Sequence, residues 1–314
     1  MFILYFLILV ALFFVLGKSA DFLIEGIKAI GAKTRIKTIY IGFLLGFLTS
    51  MPELFIGVNA MIKDVGAISF GNLVGGIIVL LGFIMGLNVV LRREVEMVDG
   101  LKFPFLILLG VFLTLPLLLV LDGKIGFLDG LLLIICYVGL IIYWLSKRVQ
   151  GVREKVREQK INVRKAVIFA VLGMAGIIIL SRFIIEITLL LLGGLNIGKL
   201  MLGIIVFSIG TNLPEIVVVF ESWRKQVKNI ALGNLLGSAM ANIFIIGALS
   251  LIKPFYATMS LNFYVFAITF VLIIVAFLFF SYTKRKLSLW EGAVLIGIYL
   301  FFIIFEFLLT GIKL

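Results

Sequence analysis

The chain has 314 residues, of which 63% are hydrophobic and 14% charged, and a soluble domain of this size could not cover so much apolar surface. Histidine is absent and the only cysteine, Cys136, lies inside an apolar run, which excludes an intrachain disulfide, histidine-based metal sites and serine–histidine proteases. The net charge of +12 lies mostly in short segments between apolar runs, so it indicates membrane topology rather than nucleic-acid binding.

The apolar runs predict the membrane spans. At least nine of them approach the roughly 20 residues that a helix needs to cross a bilayer, and they do not alternate as barrel strands do. The first run is interpreted as a span and not as a cleaved signal peptide, because no basic residue precedes it. The sequence therefore predicts an all-α polytopic membrane protein with ten transmembrane helices, at about 2–26, 38–62, 67–91, 103–121, 126–146, 166–193, 198–223, 229–252, 260–281 and 289–311.

The segments between the spans alternate in charge. One set carries many Lys and Arg residues, including a central basic segment at 147–165, and the other set holds few. The positive-inside rule predicts that the basic set is cytoplasmic, that both termini lie outside and that the protein resides in the cell membrane. The 147–165 segment is predicted to be a cytoplasmic linker, with an anionic-lipid contact or a regulatory role as alternatives. The basic residues of the sparse set are Lys63, Lys124, Lys199 and Lys253.

A shift of 162 residues superposes the most unusual features of the sequence. We therefore predict two five-span repeats, 1–146 and 166–314, with repeat motifs at 42–82 and 203–247. Because five is an odd number, the second copy enters the membrane from the opposite side, and such inverted repeats are typical of secondary transporters. The superposed pairs are Thr49 with Thr211, Pro52 with Pro214, Glu53 with Glu215, and GNLVGG at 71–76 with GNLLGS at 233–238.

The motif residues predict an ion site. Pro52 and Pro214 lack an N–H, so spans 2 and 7 are predicted to be broken helices with free carbonyl oxygens. Glu53 and Glu215, together with hydroxyl and carbonyl oxygens, would form a hard, all-oxygen site that matches Ca²⁺. Two buried glutamates repel each other unless one divalent ion, two monovalent ions or protons neutralise them, which favours exchange over leak.

Other motif residues have more ordinary predicted roles. The small-xxx-small spacing of the glycines predicts close helix packing. For Asn72 and Asn234, bridging of carbonyl groups and direct ion binding are both open. Arg182 and Glu186 are predicted to pair on one helix, and Glu306 to extend toward the outer interface. The glycines concerned are Gly71, Gly75, Gly233 and Gly237.

GTNLPE at 210–215 followed by GNLLGSAMAN at 233–242 resembles the second α-repeat of the Ca²⁺:cation antiporter family, to which sodium/calcium exchangers belong. The resemblance implies that Thr49, Glu53, Thr211 and Glu215 bind Ca²⁺ and that no cofactor is needed. This chain has Gly76 and Leu80 where the family has a serine and a polar amide or acid. The residues that the resemblance implies as Na⁺ ligands are Gly46, Ser50, Ser208, Asn212, Ser238 and Asn242.

The expected function is a secondary antiporter that moves Ca²⁺ in exchange for Na⁺ by alternating access at a carboxylate site near the membrane midplane. Because Gly76 and Leu80 offer no side-chain oxygen, exchange with H⁺ is an open alternative. A channel-like or non-transporting membrane protein is the alternative from another class. An intramembrane enzyme is disfavoured, since acid–base chemistry would have to come from the two motif glutamates. The expected partners are these ions and the lipid bilayer.

Overall fold

The computed structural model describes residues 2–31, 38–97, 103–146, 163–192, 199–224, 228–283 and 285–310. Helices dominate these ranges, because the continuous apolar runs satisfy their backbone groups internally only as helices. In the first half the helices are α1 (Phe2–Gly31), α2 (Thr38–Thr49), α3 (Met51–Ile62), α4 (Gly66–Ile78), α5 (Met85–Arg92), α6 (Phe103–Leu119) and α7 (Phe127–Ser146). In the second half they are α8 (Val163–Leu192), α9 (Lys199–Leu202), α10 (Ser208–Thr211), α11 (Leu213–Arg224), α12 (Lys228–Ser250), α13 (Leu261–Thr283) and α14 (Leu289–Thr310).

The described helices make this a multi-pass membrane protein. Nine helical segments in the described ranges are long and apolar enough to span a membrane, and the shorter apolar stretch Ile3–Ser19 of α1 corresponds to the predicted first span. The predicted helical membrane architecture is thereby confirmed. The basic linker at 147–165 lies largely outside the described residues, which resume at residue 163.

The two predicted helix breaks are confirmed. Ser50 separates α2 from α3 with φ −83° and ψ 6°, and Asn212 separates α10 from α11 with φ −87° and ψ 12°. Both residues lie in the sparsely populated region between helix and strand, where ψ near 0° interrupts regular helical hydrogen bonding. Each break is confined to one residue, and a proline follows two residues later.

The two halves are similar but not identical in their helices. Val79–Ile84 follows α4 as a π-helical stretch, and Gly203–Phe207 joins α9 to α10 in the same conformation. These stretches do not occupy equivalent positions in the two halves, since one follows the GNLVGG motif and the other precedes the TNLPEI break. Such irregular turns commonly occur at functional sites.

Two short antiparallel ladders connect the halves. β1 (Glu94–Glu96) pairs with β4 (Lys286–Ser288), and β2 (Lys124–Ile125) pairs with β3 (Phe255–Tyr256). β1 and β3 are related by the 162-residue shift to within two residues, as are β2 and β4. Each ladder therefore takes one strand from each half, which is the pairing expected for two related units of opposite orientation.

The motif helices α4 and α12 form the interior of the molecule, since nearly all of their described side chains are buried. A Cβ on Gly75 of α4 would lie 2.7 Å from the Cα of Ile204, and one on Gly237 of α12 would lie 2.7 Å from the Phe43 carbonyl oxygen. The predicted packing role of the glycines is confirmed. Each motif helix packs against the broken helix of the opposite half, which brings the two breaks together.

Two predictions about charged residues have different outcomes. Arg182 pairs with Glu186 at 3.2 Å as predicted, and Lys63 also lies 3.7 Å from Glu186. The prediction for Glu306 is wrong, because its side chain is fully buried and accepts a hydrogen bond from Asn262 Nδ2 at 2.8 Å. The neighbouring α13 supplies this donor within the protein, so the carboxyl group need not reach the interface.

Candidate ion-binding site

The two motif glutamates lie at the start of the second segment of each broken helix. Glu53 is in the first turn of α3 and Glu215 in the first turn of α11, where the helix dipole favours negative charge. The two residues are only 1% and 0% exposed, and their carboxyl groups are close enough to interact electrostatically. The fold thus joins two acidic groups from opposite halves in one buried place.

The motif threonines are placed crosswise between the halves. The Thr49 hydroxyl lies beside Glu215 and 3.1 Å from the Ser238 hydroxyl. The Thr211 hydroxyl lies beside Glu53 and donates either to Asn72 Oδ1 or to its own helix, both at 3.0 Å. Each glutamate is therefore next to the threonine of the other half.

Ser238 connects three parts of the site. Its hydroxyl oxygen lies 3.0 Å from Glu215 Oε1 and 3.1 Å from the carbonyl oxygen of Gly46. Since a serine has one proton to donate, it serves one of these acceptors at a time while its lone pairs stay available. A single hydroxyl thus contacts the broken helices of both halves.

The other predicted Na⁺ ligands bond to nearby carbonyl groups. Ser50 Oγ donates to Gly46 at 2.9 Å, Asn212 Nδ2 donates to Ser208 at 2.6 Å, and the Ser208 hydroxyl donates to Ile204. These bonds replace part of the helical pattern at the breaks. They use the hydroxyl protons of Ser50 and Ser208 and one of the two amide N–H groups of Asn212, so the hydroxyl lone pairs and the amide oxygen remain as acceptors.

Asn72, Asn242 and Asn234 of the motif helices differ in their contacts. Asn72 Oδ1 lies 3.0 Å from the Thr211 hydroxyl, and its amide nitrogen has no hydrogen-bond partner among the described residues. Asn242 Nδ2 donates to the carbonyl oxygen of Leu73 at 3.1 Å and so joins α12 to α4. Asn234 is fully buried, and neither of its amide atoms has a hydrogen-bond partner among the described residues.

The site contains several buried oxygens without hydrogen-bond partners among the described residues. They are both carboxylate oxygens of Glu53, Oε2 of Glu215, and the amide oxygens of Asn212, Asn234 and Asn242. Buried polar atoms are nearly always paired in folded proteins, so such a group of acceptors needs a partner. The donor set is all oxygen, as hard cations such as Ca²⁺ require. Within the described ranges no cluster of three or more His, Cys, Asp or Glu residues occurs, so these two carboxylates supply the negative charge.

Ser69 is a buried polar residue of α4, close to Gly57 of α3, that the sequence did not predict. Its hydroxyl has no hydrogen-bond partner among the described residues, and it lies 2.8 Å from where a Cβ on Gly57 would stand. Gly57 is one helical turn beyond Glu53 on α3, and Ser69 is one turn before Asn72 on α4. The only sequence feature that could have indicated Ser69 is its position two residues before the GNLVGG motif.

The fold and the two mirrored breaks define a class of membrane transporters built from related halves. The model of the family "sodium/calcium exchanger protein" matches residues 4–145 and 165–308. The chain belongs to the sodium/calcium exchanger protein family, whose members are cation-exchange transporters and not enzymes, and which move ions without a cofactor.

Relatives and solved structures are similar over nearly the whole chain. The sodium/calcium exchanger MaX1 of Methanosarcina acetivorans is 27% identical, with 96% of this chain and 98% of that protein covered. The inner membrane protein YrbG of Escherichia coli strain K12 is 28% identical, with 75% and 76% covered. A structure of the sodium-calcium exchanger NCX_Mj, soaked with 10 mM Na⁺ and no Ca²⁺, superposes with a TM-score of 0.69 at 21% identity over 97% of this chain and 99% of that one. This structural likeness shows the shared fold.

Proposed function

We propose that this protein is an antiporter that moves Ca²⁺ in exchange for Na⁺ at the site between its two broken helices. The observation that carries the proposal is the burial of Glu53 and Glu215 at the two helix breaks, with oxygens around them that have no hydrogen-bond partner among the described residues. One Ca²⁺ neutralises both carboxylates, and so does a set of monovalent ions. An empty site with two negative charges is costly inside the membrane, so the change of access from one side to the other needs a bound set of cations.

The assignment of ligands follows the geometry of the site. Thr49, Glu53, Thr211 and Glu215 bind Ca²⁺ in this proposal, since each glutamate is next to the threonine of the other half. Ions reach this site, which lies between the two five-span halves 1–146 and 166–314, alternately from each side of the membrane. Both termini lie outside the cell and the 147–165 linker lies in the cytoplasm. The residues proposed to bind Na⁺ are Gly46, Ser50, Ser208, Asn212, Ser238 and Asn242.

Exchange of Ca²⁺ for protons is the second candidate function. It is favoured by the surroundings of Glu53, since neither of its oxygens has a hydrogen-bond partner among the described residues. The equivalent of Ser238 in the first half is Gly76, and the equivalent of Asn242 is Leu80, so this half supplies fewer oxygen ligands. Protons neutralise carboxylates without further ligands.

A flux assay tests the proposal. The purified chain is placed in sealed liposomes, and uptake of ⁴⁵Ca²⁺ is measured with a Na⁺ gradient or a pH gradient imposed separately. We expect uptake driven by the Na⁺ gradient and lost in Glu215→Gln, whereas uptake driven by the pH gradient alone would support the second candidate. Uptake that needs no counter-ion gradient would indicate a channel. Wild-type uptake in Glu215→Gln would contradict the proposed site.

A further inference from the structure

The two carboxylates of the site have unequal surroundings. Ser238 lies 3.0 Å from Glu215, and its counterpart at the 162-residue shift is Gly76. No side chain at position 76 contacts Glu53, whose two carboxylate oxygens are without hydrogen-bond partners among the described residues. Glu53 therefore has the Thr211 hydroxyl beside it but no counterpart of the Ser238 hydroxyl.

The space beside Gly76 is filled by amide groups. A Cβ at position 76 would lie 2.7 Å from Asn242 Nδ2 and 3.2 Å from Asn212 Nδ2. Both nitrogens are donors and hold no lone pair for a cation, and both are fixed by hydrogen bonds to the carbonyl groups of Leu73 and Ser208. Where a ligand oxygen would fit, this chain presents N–H groups. Leu80, the counterpart of Asn242, is fully buried in the apolar core.

The charge of bound cations is limited by this arrangement. In the described residues the site has two carboxylates and no cluster with a third acidic group. One divalent ion or two monovalent ions neutralise it, whereas three monovalent ions leave one positive charge in a medium of low dielectric constant. That excess charge would also meet the partial positive charge of the two amide nitrogens beside Gly76.

We propose that Gly76 and Asn242 restrict the site to a total cation charge of two, so that one Ca²⁺ exchanges for two monovalent cations and no net charge crosses the membrane. This inference rests on the function proposed above and specifies its stoichiometry. It holds for Na⁺ and for H⁺ as the counter-ion, because either one neutralises the carboxylates in pairs.

The test is steady-state accumulation of ⁴⁵Ca²⁺ by liposomes whose membrane potential is set with K⁺ and valinomycin, at zero and at about 100 mV of either sign. We expect the same accumulation ratio at each potential. Transport of one net charge would change the ratio by about 50-fold per 100 mV, since that charge is worth about 2.3 kcal/mol. Accumulation that follows the potential overturns this inference alone, whereas absence of uptake under Na⁺ and pH gradients overturns the proposed function as well.

The residue assignment has its own test, which is the number of ²²Na⁺ ions bound per protein molecule at saturation. The double variant Gly76→Ser with Asn242→Ser adds a hydroxyl group at position 76, removes the amide nitrogen that would collide with it and keeps an oxygen at position 242. We expect two bound Na⁺ in the wild type and three in the double variant, whose exchange then depends on potential. Gly139→Ser is the matched control, since no described atom beyond its chain neighbours and its own helix backbone lies within 4 Å of a Cβ there. Three ions in the wild type, or two in a double variant whose thermal stability is retained, would overturn the assignment.

Discussion

The hydroxyl groups of Thr49 and Ser238 lie 3.1 Å apart, although the two residues come from different halves of the chain. Ser238 also lies 3.0 Å from Glu215 Oε1, so this contact joins the end of α2 to the acidic residue of α11 through a serine of α12. The three helices converge because the glycines of α12 allow its backbone to approach α2 closely. The position of one carboxylate therefore depends on groups from both repeats.

Replacing Ser238 tests this contact. Loss of a hydrogen bond to a charged group costs about 1.5–3 kcal/mol, so Ser238→Ala is expected to raise the Ca²⁺ concentration for half-maximal exchange about tenfold or more. The measurement is the concentration dependence of ⁴⁵Ca²⁺ uptake. Ser250→Ala is the matched control, because Ser250 is also buried on α12 but donates to the carbonyl oxygen of Gly247. Equal effects of the two replacements would contradict the assigned role.

The charge of the site is tested by neutral replacements of its two glutamates. Glu53→Gln and Glu215→Gln each leave one negative charge, which no longer balances a divalent ion, so we expect Ca²⁺ exchange to be lost in both. Glu306→Gln is the control, since this buried glutamate accepts from Asn262 and a glutamine oxygen can accept the same bond. If Glu306→Gln abolished exchange equally in correctly folded protein, loss of a buried charge would not be specific to the site.

Much of this architecture was predictable from the sequence, because the helix breaks depend on the covalent structure of proline. Pro52 and Pro214 lack an N–H wherever they lie, so the two breaks follow from residue type. The roles of Ser238 and Asn242 depend on which helices of opposite halves meet, and local sequence does not determine that. The two ladders contain strands of two or three residues, which are too short to give a periodic pattern. Glu306 was wrongly predicted because its partner Asn262 is distant in sequence.

The close packing of α2 against α12 predicts that a larger residue at Gly46 lowers the stability of the protein. A Cβ on Gly46 would collide with the Asn234 carbonyl oxygen and would lie 2.5 Å from the Ser238 backbone nitrogen. Because backbone atoms cannot turn aside, Gly46→Ala is expected to lower the unfolding temperature in detergent and to reduce folded yield. Overpacking of this kind costs about 1–3 kcal/mol or more.

Gly139→Ala is the matched control for that substitution. Gly139 lies within α7, and no described atom beyond its chain neighbours and its own helix backbone lies within 4 Å of an added methyl group. Alanine there is expected to stabilise the helix by up to about 1 kcal/mol. Opposite shifts of the unfolding temperature are the expected result. A Gly46→Ala variant as stable as the wild type would show that α2 and α12 approach less closely.

Cation binding itself should stabilise the fold. Ca²⁺ bound between α3 and α11 neutralises the repulsion of Glu53 and Glu215, and at 100 times its dissociation constant a ligand contributes about 2.7 kcal/mol. We expect Ca²⁺ to raise the unfolding temperature, with Mg²⁺ less effective because it demands a rigid octahedral set of ligands. The double variant Glu53→Gln with Glu215→Gln should show no such rise. An unchanged rise in that variant would place the stabilising ion elsewhere.

The proposed orientation can be tested by labelling cysteines. In a Cys136→Ser background, Tyr256→Cys and Lys286→Cys each place one thiol in an exposed position, one in β3 and the other in β4. A membrane-impermeant maleimide is expected to label Tyr256→Cys on intact cells and Lys286→Cys only after permeabilisation. The reverse pattern would invert the topology and place both termini in the cytoplasm.

The paired ladders have a consequence for biosynthesis. β1 emerges from the ribosome early, but its partner β4 is made only near the end of the chain. The glycine face of α2 is likewise uncovered until α12 has been synthesised. The N-terminal half therefore resides in the membrane for most of translation with an unpaired strand and an open helix surface, which are the features that invite wrong association. Two halves expressed as separate chains should accumulate together and be degraded when either one is made alone.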